Sequence, residues 1–222
     1  MFFPFYDSTY ILVLIGVIVS MMASAKLNAT YQRYSAVRSM CGLTGAEAAK
    51  RLLNSQGIYD VTIRRVPGSL TDHYDPRSKT INLSDAVYGS TSIAAIGVAA
   101  HECGHAMQDA ADYSPLRIRA ALVPAANLGS QLAWPLILVG LLLGSGGSGL
   151  AFAGIVLFSL AVLFQLVTLP VEYNASHRAV TLLDSTGILA GQEVGQTRSV
   201  LNAAALTYVA AAAASILDRK ST

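Results

Sequence analysis

Residues 101–105 read His-Glu-Cys-Gly-His. Imidazoles four residues apart lie one turn apart on the same face of a helix, so both can reach one metal ion. Zinc suits such a pair, and a glutamate beside the first histidine can take a proton from the attacking water. The chain holds four histidines and four glutamates among its 222 residues. Independent draws at those residue frequencies give H-E-x-x-H in about one chain in 800. The competing reading is two unrelated core histidines with Glu102 in a salt bridge. A chain with so little charge makes that the weaker account.

A catalytic zinc takes three protein ligands and leaves one position open for water. The candidates for the third are His73, Glu172, His177, Asp184 and Glu193. Glu172 leads them. It follows a long uncharged run, where a carboxylate costs free energy unless it is paired or ligates a metal. The alternative for Glu172 is an interfacial anchor paired with Arg178. His177 lies five residues on, about 140° around a helix, so the two do not both ligate. His177 is read either as a catalytic donor to the developing oxyanion or as a surface histidine. Cys103 points off the metal face and reads as a small buried residue. Cys41 reads as an inert thiol, with palmitoylation the alternative.

These residues need elements to hold them. Thr44 and Glu47 form a capping box that starts a helix ending near Gly57. Residues 58–66 (IYDVTIRRV) alternate as a strand. Residues 68–75 read as a loop, Asp75 to Ser78 as a turn, and Lys79 to Leu83 as a short strand. That last strand is a candidate edge for pairing with a substrate peptide. Ser90 or Thr91 caps a long helix to about Ala111 that carries the H-E-x-x-H motif.

The remainder is strongly apolar. Hydrophobic residues make up 53% of the chain and charged residues 13%, about half the charge of an average soluble domain. That composition excludes a disordered chain, a coiled coil and a nucleic-acid-binding domain. The apolar residues gather into runs at 9–25, 120–143, 150–169 and 200–217. The first three have the length of membrane spans. Phe5 and Tyr6 can extend the first into the interface. Pro124 and Pro135 predict a kink in the second. Eight alanines make the fourth marginal; it either spans or lies against the others. Ala23-Ser24-Ala25 resembles a signal-peptidase site, but no Lys or Arg precedes the run, so an uncleaved span is preferred.

Eleven of the 15 Lys and Arg residues lie between Lys26 and Arg119, and none lies before the first run or in Gly144 to Gly149. By the positive-inside rule, residues 26–119 and 170–199 face the cytoplasm. The tail residues Arg219 and Lys220 conflict mildly with a fourth span. The whole chain, 1–222, is read as one membrane domain with a catalytic cytoplasmic subdomain over 26–119.

Three segments in order, HECGHAMQ, DHYDPRSKTINLS and LPVEYNASHRA, resemble the YugP-like family of bacterial membrane zinc metallopeptidases. More distantly, H-E-x-x-H with a later E-x-x-A is similar to HtpX and the CAAX prenyl proteases, which are membrane-embedded gluzincins. The resemblance implies a mainly α membrane protein of three to four transmembrane helices with a small α+β, gluzincin-like cytoplasmic subdomain. It implies Zn²⁺ on His101, His105 and Glu172, with Glu102 as the catalytic glutamate. One position departs from the distant pattern. Those relatives often carry an Asp four residues after the ligand Glu to orient a histidine, and this chain has Ser176.

The function expected is a zinc-dependent endopeptidase of the bacterial inner membrane, multi-pass, with its site facing the cytoplasm. Its partners are a membrane-associated protein or peptide substrate and the lipid bilayer, and no nucleic acid. The alternatives are a non-cleaving zinc-binding scaffold or regulatory subunit, and a metallohydrolase acting on a non-peptide amide.

Overall fold

The computed structural model describes residues 8–219. The aromatic flank of the first run, with Phe5 and Tyr6, and the tail residue Lys220 lie outside them. In chain order the elements are α1 (Ser8–Ser35), α2 (Gly45–Ser55), β1 (Thr62–Val66), β2 (His73–Asp75), β3 (Thr80–Ser84), α3 (Asp85–Tyr88), α4 (Ile93–Ala110), α5 (Ser114–Leu142), α6 (Ser148–Ser185) and α7 (Gln192–Arg219). A single 3₁₀ turn, Gly144–Gly147, joins α5 to α6. Among the described residues, three helical stretches are long and apolar enough to cross a membrane: Leu14–Ser35, Ser114–Leu142 and Ser148–Ser185. The alanine-rich fourth run is helical within α7.

Two compact units are present. The first joins Ser114–Val171 to the described parts of Met1–Val19 and Tyr208–Thr222. Here the small residues face inward and the large ones outward. A Cβ on Gly140 would collide with the Ala151 backbone, and one on Gly154 would meet the Ala133 carbonyl at 2.8 Å. Trp134, Leu138 and Leu141 of α5 and Phe152 and Ile155 of α6 are exposed. Close backbone approach through glycine and alanine is the kind of packing that holds helices together where no hydrophobic force acts between them, as in lipid. Gly16 of α1 meets Ala214 of α7 in the same way, at 3.2 Å from the Ala214 Cα. Pro124 and Pro135 stay inside α5, as expected for a helix supported by neighbours.

The second unit joins Ser20–Tyr113 to Glu172–Thr207. The Thr44–Glu47 capping box forms as the sequence predicts: the Glu47 amide donates to Thr44 Oγ1, and the Thr44 amide donates to Glu47 Oε2 at 2.9 Å. The inner face of α2 (Ala48, Ala49, Leu52, Leu53) is fully buried with Ile96, Ala99, Ala100 and Cys103 of α4. Cys103 Sγ donates to the Ala49 carbonyl, and burial pushes its thiol pKa up, so it is a core residue.

The sheet corrects two expectations. Residues 73–75, read as loop, form β2, because Asp75 closes the following turn by accepting from the Arg77 amide and the Ser78 hydroxyl. The strand order is β1-β3-β2, with β1 parallel and β2 antiparallel to β3. β3 is therefore central, with both its edges paired, and cannot be the substrate edge; β2 is an outer strand. A third correction concerns α4. Its cap is Ser92, which accepts from the Ala95 amide at 3.2 Å; Ser90 instead donates to the Ser92 hydroxyl.

Candidate metal centre

The motif helix α4 is buried on nearly every side, because its leading residues are small and apolar (IAAIGVAA). His101 and His105 stand one turn apart on it, with ring centroids 4.8 Å apart and planes at 85°. The third arm comes from α6. This helix does not stop where the apolar run ends. It continues through Pro170 to Ser185, which carries Glu172 and Ser176 past α4.

The close approach of the two helices has a specific cause. A Cβ on Gly104 would collide with the Ala175 carbonyl oxygen and lie 2.9 Å from the Ala175 carbonyl carbon. Gly104 inside the motif and Ala175, three residues after Glu172, thus let two backbones touch. Side chains on either side of that contact are brought together. Glu172 Oε2 lies 3.1 Å from His101 Nε2 and 3.6 Å from His105 Nε2. The three ligand atoms lie within 4.8 Å of one another.

The donor set fits zinc. Two imidazole nitrogens and one carboxylate oxygen are its preferred ligands, and bonds near 2.0–2.1 Å in a tetrahedron put neighbouring ligand atoms about 3.3 Å apart. The observed 3.1 and 3.6 Å bracket that spacing. Each ring also has its other nitrogen engaged. Ser176 Oγ lies 3.1 Å from His101 Nδ1, and Gln108 Oε1 lies 3.0 Å from His105 Nδ1. Both Nε2 atoms are thereby turned toward Glu172. Outer hydrogen bonds of this kind fix ring orientation at metal sites. The serine that departs from the distant pattern occupies the orienting position after all.

Glu102 is 6% exposed. Burial pushes its carboxyl pKa up to about 7, against the pull of His101 and of a hydrogen bond from the Tyr74 backbone amide. A carboxylate poised near neutrality is suited to moving protons. Tyr74 belongs to β2, and its hydroxyl donates to Asp109 Oδ2 of α4 at 2.8 Å. Burial and that carboxylate push the phenol pKa up, so it stays a donor. The outer strand is thus tied to the motif helix at both ends of one residue.

The remaining candidates lie elsewhere. His73 is exposed, with Nδ1 donating to the Thr71 carbonyl and Nε2 accepting from Asn82. Asp184 is exposed, and Glu193 accepts from the Met40 amide at 2.7 Å. His177 is exposed on α6 and outside the convergent group. Arg178 pairs with Asn174. Sequence reasoning missed Gln108 and Asn174, although Gln108 stands three residues after His105, a spacing that shares a helical face.

A family model described as "Putative neutral zinc metallopeptidase" matches residues 9–219. The chain is 47% identical over 200 residues to "Putative membrane protease YugP" of Bacillus subtilis (strain 168), covering 90% of this chain and 88% of that protein. No solved structure matches the chain.

Proposed function

The chain belongs to the neutral zinc metallopeptidase family, and from that premise we propose a gluzincin-type membrane endopeptidase in which His101, His105 and Glu172 hold the zinc and Glu102 moves the proton. The observation that supports this most is the meeting of three ligand atoms beside a buried glutamate. When bound, zinc supplies Lewis acidity, which polarises a peptide carbonyl and makes a water easier to deprotonate. Glu102 takes a proton from the attacking water and returns it to the leaving amine. The Tyr74 amide holds the Glu102 carboxylate in place between these transfers. His101 is the more exposed of the two imidazoles, so water enters on its side. An extended substrate segment laid along β2, the outer strand, would bring its carbonyl toward Glu102.

The whole chain works as one membrane domain in this reading, in the inner membrane of a bacterium. The asymmetry of Lys and Arg supports a cytoplasmic site. The substrate is a protein or peptide at that membrane face.

Full-length protein in detergent tests this directly. Zinc should co-purify at about one per chain, and an unfolded protein substrate should be cut. A strong chelator should abolish cleavage, and added zinc should restore it. Zinc without cleavage would favour the non-cleaving scaffold instead.

His177 gives a second check. Loss of an oxyanion donor in a water-excluded site costs about 10²–10³ in kcat. Exposed His177 sits in water, so His177→Ala should lower kcat by less than about tenfold. Steady-state kinetics giving a loss near 10² would return His177 to the oxyanion role.

A further inference from the structure

Glu102 and Asp109 stand seven positions apart on α4. Seven residues advance a helix by about 10 Å and bring it within about 20° of two full turns. The two side chains therefore leave α4 along one line, and a single residue of β2 meets both. The Tyr74 amide donates to the Glu102 carboxylate, and the Tyr74 phenol donates to Asp109 Oδ2 at 2.8 Å. Tyrosine suits this task because its hydroxyl sits at the far end of a long, rigid ring, beyond the reach of a serine or threonine hydroxyl.

Other polar ties of β2 stay within its own sheet. His73, Tyr74 and Asp75 pair with Asn82, Ile81 and Thr80 of β3. Just before the strand, Asp72 accepts from the Ser84 amide at 2.7 Å and from the Ser84 hydroxyl at 3.0 Å. These bonds fix β2 against β3, whereas the phenol bond fixes it against the motif helix. The place of Asp109 also argues against a role in helix stability. It lies in the last turn of α4, where a negative charge opposes the helix dipole and a positive one would be favoured.

We propose that Asp109 is a positioning residue for the cleavage step. Through the Tyr74 phenol it sets the height of β2 along α4, so that the Tyr74 amide meets the Glu102 carboxylate. The proposal rests on the role given to Glu102 above, and in it neither Asp109 nor the phenol touches substrate or metal.

The test is a set of cleavage rates measured with full-length, zinc-loaded protein in detergent. Misplacing a reacting group by about 1 Å can cost about 10²-fold in rate. β2 stays paired to β3 when the phenol bond is lost, so Tyr74→Phe and Asp109→Ala should each lower kcat by about tenfold. KM and zinc content should stay at the parent's values. The two losses should be equal, and the double variant should lose no more than either, because all three lack the same bond. Asp109→Asn keeps an oxygen for the phenol and should run within about threefold of the parent. The decisive comparison uses Glu102→Gln as the background. There Tyr74→Phe should leave the residual single-turnover rate unchanged, since the proton acceptor it positions is gone. An undiminished kcat in Tyr74→Phe overturns the proposal. So does a loss that persists in the Glu102→Gln background, which would mark the bond as a fold support only. A loss that appears in KM instead of kcat overturns it as well, by assigning the bond to the substrate strand. Asp109→Asn as slow as Asp109→Ala does the same, by making the charge the active feature. A parent protein that takes up no zinc or does not cleave sinks the metallopeptidase reading itself, and the positioning role with it.

Discussion

Glu102→Gln should retain zinc and lose cleavage. The carboxamide keeps the size of the side chain and can still accept from the Tyr74 amide. It offers no site for a proton taken from water. General acid–base groups contribute about 10²–10⁴-fold, and one that serves both transfers should reach the upper end. The fall should appear in kcat and in kcat/KM together, with zinc content unchanged. A variant that cleaves as fast as the parent would remove Glu102 from the mechanism. Comparing membranes that hold the parent with membranes that hold this variant should also expose the natural substrate as a protein that accumulates.

The second large effect is expected where no charged or polar side chain is touched. Gly104→Ala adds one methyl group between two backbones. Its Cβ would collide with the Ala175 carbonyl oxygen and lie 3.0 Å from the Ala175 Cα. No flexible side chain is present to move aside, so α4 and α6 must separate. Overpacking of this kind costs about 1–3 kcal/mol. The effect on the site should be larger than the effect on the fold, because a displacement near 1 Å can cost about 10²-fold in rate. Zinc affinity and kcat should therefore drop sharply while the thermal midpoint falls modestly. Gly195→Ala is the control. It lies in α7 with nothing within 4 Å of the added carbon. It should be neutral or stabilising by up to about 1 kcal/mol, since alanine is the better helix former. Equal behaviour of the two variants would refute the close-contact account.

Much of this site is legible in the sequence because its chemistry is carried by residue types at helical spacing. His101, Glu102 and His105 announce themselves, and Glu172 follows from its place after an apolar run. The Thr44–Glu47 capping box and the helix around the motif are legible for the same reason: their signals are local. What the sequence hides is non-local or carried by the backbone. The hold on Glu102 is a main-chain amide of Tyr74, which no side chain advertises. β2 has three residues, too few to display a period of two. The central position of β3 depends on pairing across strands that no single segment encodes. Pro170 stands at the end of the apolar run, and α6 passes through it, because proline removes one hydrogen bond of a helix otherwise held by its neighbours. Gln108 reads as an ordinary polar residue near a helix end until Asn174 and Arg178 are placed against it.

The division of the metal centre between α4 and α6 has a consequence for how the protein is made. His101 and Glu172 are separated by 71 positions. At synthesis rates of about 5–20 residues per second, Glu172 is added roughly 4–14 seconds after His101. During that interval a nascent chain carries both imidazoles and Glu102 but lacks the third proposed ligand. All of α5 and the apolar part of α6 must be synthesised before it arrives. In the proposed mechanism an unfinished chain therefore lacks a complete metal site, and the ability to cut comes only with the second helical arm.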